Sequence, residues 1–188
     1  MVYWLTLLSD GGDFFNLFRY ITVRAGGAFL TSLLFGFVFG KPLINLLRRR
    51  QGRGQPIRSD GPEGHQSKAG TPTMGGALIL GALVVSTLLW ARLDNMHIWV
   101  VLFVTIGFGA IGFADDYAKV SKQTSAGVSG RVRLGLGFVI ALIAALVAAQ
   151  LHPEGLRLQV AVPVLKDTLV PFGILFFPFA MIVIVGTA

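Results

Sequence analysis

His97–Ala114 is an unbroken apolar run that carries no Asp, Glu, Lys or Arg and stops at Asp115-Asp116. Its length is close to the ~20 residues a helix needs to cross the hydrocarbon of a bilayer. Apolar runs, interrupted only by Lys41 and Arg92, recur at about residues 26–47, 74–93, 134–151 and 172–188. In lipid every backbone N–H and C=O must be satisfied within the protein, so such runs fold as helices. The pattern predicts an all-α polytopic membrane protein with five transmembrane helices, forming a single integral-membrane domain over 1–188. Composition agrees: 13% of residues are charged, against roughly 25% in soluble domains. The absence of cysteine excludes disulfides and thiolate metal sites.

Charge placement orients the runs. Six Lys or Arg lie between Arg48 and Thr73 and four between Asp115 and Arg133. The other connections hold Arg92 in one and Arg157 and Lys166 in the second. By the positive-inside rule the two basic segments face the cytoplasm and the N-terminus lies outside. The net charge of +7 therefore reports topology and contact with membrane lipid, not nucleic acid. Phe14, Leu17, Phe18 and Ile21 recur at helical spacing, as in an interfacial helix. No basic segment precedes Val2–Leu8, so a cleaved leader is not expected. The alternation in Leu156–Val162 suggests a short external β-hairpin. His97 and His152 read as interfacial polar residues.

Three features meet on the cytoplasmic side of this topology. Asp115 and Asp116 end the third run, where acids oppose the helix dipole and are costly near hydrocarbon. Lys68-Ala69-Gly70-Thr71-Pro72-Thr73-Met74-Gly75-Gly76 leads into the second run, with Thr73 placed as an N-cap. Gly127-Val128-Ser129-Gly130-Arg131-Val132-Arg133 leads into the fourth. Helix N-termini and basic side chains suit a phosphate, and carboxylates opposite them suit Mg²⁺ bound together with substrate phosphates. Each part has a plainer reading. Thr73 is a simple cap, Gly75-Gly76 a packing surface, Arg131 and Arg133 topology determinants, and Lys119 an i+4 partner of Asp115 and an i+3 partner of Asp116. The acid pair is the hardest to explain as structure alone.

The string His65-Gln66-Ser67-Lys68-Ala69-Gly70-Thr71-Pro72-Thr73-Met74-Gly75-Gly76, followed by Asp115-Asp116-Tyr117-Ala118-Lys119, resembles the phospho-N-acetylmuramoyl-pentapeptide transferases. These belong to the polyprenyl-phosphate N-acetylhexosamine-1-phosphate transferase superfamily. The likeness covers essentially the whole chain. It implies a bacterial inner-membrane enzyme of about ten spans with its active site on the cytoplasmic face. The reaction implied is Mg²⁺-dependent transfer of phospho-N-acetylmuramoyl-pentapeptide from its UDP carrier to undecaprenyl phosphate, giving lipid I and UMP. Carried over by motif position, Asp115 is the base or acceptor-phosphate positioner and Asp116 the metal-proximal or diphosphate-side carboxylate. Lys68, Thr73 and Lys119 are substrate-binding. A homodimer is left open.

Two departures accompany the resemblance. Ala126 stands where the family usually has a basic residue. The third aspartate, the Asn-Leu-Thr-Asp-type motif and the histidine-rich loop of the family are not found up to Ala188. The expectation is an N-terminal fragment that does not catalyse by itself. Competing readings are a UDP-N-acetylglucosamine–polyprenyl-phosphate transferase and a transporter or channel fragment. Transport sites usually lie near the bilayer midplane, whereas this acid pair lies at the inner boundary. A prenyl-transferring enzyme would need a third acid where Lys119 stands.

Overall fold

The computed structural model describes residues 2–10, 12–51, 73–123, 127–161 and 168–188. Five α-helices dominate the described residues: α1 Ile21–Gln51, α2 Gly76–Trp90, α3 Met96–Lys122, α4 Gly130–Leu151 and α5 Phe176–Thr187. Three of them, α1, α3 and α4, are long and apolar enough to cross a membrane, while α2 and the segment Gly173–Thr187 are apolar but shorter. At 1.5 Å per residue α1 extends about 46 Å and α2 about 22 Å, against ~30 Å of hydrocarbon. The sequence pattern placed the first span at 26–47. The helix runs further in both directions, through Pro42, and carries Arg48, Arg49 and Arg50 in its last turn. The expected interfacial helix is a 3₁₀ segment, Phe14–Arg19, joined to α1 through the extended residue Tyr20.

The chain forms two compact units, residues 1–95 with 109–128, and residues 96–108 with 129–188. In the first unit α1 and α2 run antiparallel. The Trp90 indole N–H donates to Thr31 Oγ1 at 2.9 Å. The Ser32 and Ser86 hydroxyls meet at 2.7 Å, and Phe35 lies 3.5 Å from where a Cβ on Gly81 would stand. Lipid tails are as apolar as side chains, so such contacts rest on close packing and interhelical hydrogen bonds rather than on hydrophobic burial. Gly27 shows the need for a small residue: a Cβ there would run into the Trp90 ring. Beyond α2, Arg92 donates to Asp94 at 2.8 Å, and Arg24 and Arg92 lie 5.0 and 4.7 Å from the Tyr3 ring centre. The hydrogen bond from Arg92 holds the Asp94 carboxyl below its ordinary range.

In the second unit α4 offers a seam of alanines to its neighbours. Ala141, Ala144, Ala145 and Ala149 are buried, Ala141 completely. Gly137 lets Phe108 and Val185 approach, and Gly107 lies against Ile140. Ser129 caps α4, its hydroxyl accepting the Val132 N–H at 3.4 Å. The His97 and His152 rings meet edge to face with centroids 5.4 Å apart. The expected hairpin is present as β1 Gln159–Ala161 and β2 Leu169–Pro171, antiparallel with Val160 opposite Val170. Large apolar side chains stay exposed along the helices, among them Phe29, Phe37, Ile79 and Ile182. That surface is far more apolar than water tolerates, and it suits lipid.

Candidate active site

The site is built on the last two turns of α3. The sequence pattern ended the third helix at the acid pair. Instead the helix continues to Lys122, and Gln123 closes it with a left-handed backbone, φ 48°. Asp115 therefore lies about two turns inside the helix, beyond the reach of the terminal dipole, which fades within the last turn. The cost of the pair is burial, not dipole opposition.

Successive helical residues point about 100° apart, so the two acids face different surroundings. The Asp115 side chain is 8% exposed and that of Asp116 35%. Lys119, one turn on, places Nζ 2.6 Å from Asp115 Oδ2 and 3.8 Å from Asp116 Oδ1. The other Asp115 oxygen, Oδ1, accepts the Val128 N–H at 2.8 Å. Charge-assisted bonds to both oxygens are what a buried carboxylate requires to remain charged. Gly127 makes the second bond attainable. A Cβ there would overlap Oδ1 and lie 2.7 Å from Asp115 Cγ and 2.9 Å from Lys119 Cε. The backbone reaches Asp115 because position 127 has no side chain. In sequence Gly127 is only one residue of a loop, since the approach joins residues that only the fold brings together.

Thr73 lies elsewhere in the same unit, at the entry to α2, and its expected role as N-cap is not observed. The capping position is Gly75, with no side-chain cap bond. Met74 has φ 73°, a left-handed turn that interrupts helical geometry before it can start at Thr73. The backbone of Thr73 is instead held by Gln51 at the end of α1. Its N–H donates to Gln51 Oε1 at 2.9 Å, and its C=O accepts from Gln51 Nε2 at 3.1 Å. The Thr73 hydroxyl oxygen is buried and has no hydrogen-bond partner among the described residues. Gln51 was missed in the sequence, where it reads as one more polar residue of a basic loop. Lys68 and Ala126 lie outside the described residues. Arg131 and Arg133 stand in the first turn of α4. The structure thus joins Asp115, Asp116, Lys119 and Gly127 in one cluster and leaves the Thr73 hydroxyl without a partner among the described residues.

For a divalent ion the available donors are uneven. Both Asp115 oxygens are already engaged, which leaves Asp116 as the more accessible carboxylate. Among the described residues no group of three His, Cys, Asp or Glu is placed to hold a metal. Mg²⁺ is commonly bound by one or two carboxylates completed by substrate phosphates, and Asp116 fits that lesser role.

Residues 68–80 match the family model described as phospho-N-acetylmuramoyl-pentapeptide-transferase signature 1. Over 188 residues the chain is 71% identical to a phospho-N-acetylmuramoyl-pentapeptide-transferase of Ruegeria sp. (strain TM1040), covering 100% of this chain and 52% of that relative. Over its whole length the chain is similar to phospho-N-acetylmuramoyl-pentapeptide-transferases. Relatives of the same name in Dinoroseobacter shibae and Maricaulis maris are 67% and 55% identical, covering 100% and 96% of this chain and 52% and 51% of their own lengths. The chain therefore spans about half the length of the curated phospho-N-acetylmuramoyl-pentapeptide-transferases it matches. The signature runs from Lys68 through the Gln51-held Thr73 and the left-handed Met74 into the first turns of α2.

Proposed function

We propose that the full-length protein transfers phospho-N-acetylmuramoyl-pentapeptide from UDP to undecaprenyl phosphate, forming lipid I and releasing UMP. An oxygen of the lipid phosphate attacks the sugar-bearing phosphorus, a new P–O bond forms, the anhydride breaks, and UMP leaves with the electron pair. The observation that carries the reading is the buried Asp115 carboxylate, held by Lys119 and the Val128 N–H beside the more exposed Asp116, in a chain with the family's signature. The protein crosses the bacterial inner membrane, its N-terminus outside and the acid cluster at the cytoplasmic boundary. There a membrane-dissolved acceptor meets a soluble nucleotide. Helices α1 to α5 act as five spans, the two shorter ones lengthened by their flanking residues.

Asp115, fixed by two partners, positions the acceptor phosphate and takes up any proton it carries. Lys119 neutralises Asp115 and offers its remaining N–H groups to phosphate oxygens. The Thr73 hydroxyl donates to a substrate phosphate, and Lys68, in the same signature, adds positive charge. Asp116 would hold Mg²⁺ together with phosphate oxygens; the ion, when bound, offsets the charge that develops as the anhydride breaks.

The test is UMP release by the full-length protein with undecaprenyl phosphate and the UDP-linked pentapeptide, with and without Mg²⁺. Asp115→Asn and Asp116→Asn should each slow turnover by about a hundredfold or more. Near-normal turnover in either variant overturns the site. A preference for UDP-N-acetylglucosamine overturns the substrate.

A further inference from the structure

Gln51, at the end of α1, exchanges a pair of hydrogen bonds with the backbone of Thr73, inside the signature. A side-chain amide that both accepts from and donates to the same residue's backbone imitates a neighbouring β-strand, and it fixes that peptide in position and orientation. Gln51 is 8% exposed, so the exchange is shielded from competing water. The next residue, Met74, is 9% exposed with φ 73°, a conformation that side chains other than glycine avoid. Its C=O nevertheless accepts the Ala77 N–H at 3.1 Å and so begins the first turn of α2. A left-handed residue at a helix start persists only when its surroundings hold it there. Thr73, clamped through both its N–H and its C=O, is part of those surroundings.

We propose that Gln51 is a positioning residue: by clamping the Thr73 backbone it fixes the left-handed turn at Met74, and with it the placement of the Thr73 hydroxyl and the N-terminus of α2. This rests on the proposed transfer reaction, in which that hydroxyl meets a substrate phosphate. The α1–α2 pair does not depend on the clamp. Thr31 with Trp90, Ser32 with Ser86 and Phe35 over Gly81 join the helices further along. Loss of Gln51 therefore frees the signature without separating the helices.

The experiment uses the full-length protein with Gln51→Leu and Gln51→Glu. In Gln51→Leu the Thr73 amide should exchange with solvent about tenfold faster, the loss of a hydrogen bond of ordinary net strength. Exchange around Thr31 and Ser86 should stay as in the parent. UMP release should fall by a similar factor. Gln51→Glu gives a signature that a merely structural role would not. As a carboxylate, Glu can accept from the Thr73 N–H but opposes the Thr73 carbonyl; protonated, it can donate to that carbonyl and restore both bonds. The ratio of variant to parent activity should therefore rise as pH falls toward the carboxyl range. Unchanged Thr73 exchange in Gln51→Leu, or a ratio that is flat with pH, overturns the proposal. If the parent protein releases no UMP, the transfer reading fails, and amide exchange alone decides whether Gln51 is the clamp.

Discussion

Gly127→Ala offers the most direct probe of the Asp115 cluster, because it adds one methyl group at the point of closest approach. The new Cβ would lie 2.7 Å from Asp115 Cγ, where ordinary contact starts at 3.4 Å. The carboxylate, or the loop, must retreat by at least about 0.7 Å. The Val128 N–H bond, now 2.8 Å, then stretches to about 3.5 Å, the edge of what counts as a hydrogen bond. Lys119 Cε, 2.9 Å from the same point, leaves no room on the other side. A hydrogen bond to a charged group contributes about 1.5–3 kcal/mol, so kcat/KM for UMP release should fall by about tenfold to a hundredfold. Thermal stability should fall with it. The decisive comparison is the same substitution in an Asp115→Ala background, where the removed carboxylate makes space for the methyl. There Gly127→Ala should change stability by no more than about 0.5 kcal/mol. Parent-like turnover in Gly127→Ala, or an equal penalty in both backgrounds, would refute the close-approach argument.

Other outcomes follow from particular contacts. Lys119→Met removes the cation from a largely buried carboxylate and should destabilise the protein by about 3 kcal/mol. Adding Asp115→Asn should restore most of that stability without restoring turnover, as thermal unfolding in detergent and UMP release would show. Gly27→Leu forces a side chain into the Trp90 ring and should cost about 1–3 kcal/mol by overpacking, with loss of the Thr31–Trp90 hydrogen bond visible in indole fluorescence. The Asp94 carboxyl, lowered by Arg92, contributes stability above the ordinary carboxylate range that disappears as pH falls through its depressed value. Asp94→Asn should flatten the acid limb of a thermal-stability profile, and added salt should shrink the difference because the pair is exposed.

Much of this architecture is legible along the chain. Apolar runs of bilayer length locate the helices, since hydrocarbon leaves the backbone no other way to satisfy its polar groups. Alternation at 156–162 marks the hairpin, and Asp115, Asp116 and Lys119 declare themselves by spacing, since residues three and four apart share a helix face. What the chain conceals is of a different kind. Helix ends depend on terminal backbone geometry, so α3 runs past its apolar stretch to Lys122, and Met74 starts α2 later than the threonine cap suggests. The distinction between the two acids is also tertiary. Nothing local separates Asp115 from Asp116, but one is buried against Lys119 and the Val128 N–H while the other is more open. Gly127 and Gln51 acquire their tasks only because folding sets them against Asp115 and Thr73, residues distant in sequence. The sequence by itself determined where lipid and water must lie and which side chains carry the charge. The tertiary structure decided which carboxylate is neutralised and which backbone is clamped, because hydrogen bonds across 13 and 22 residues depend on close approach and not on periodicity.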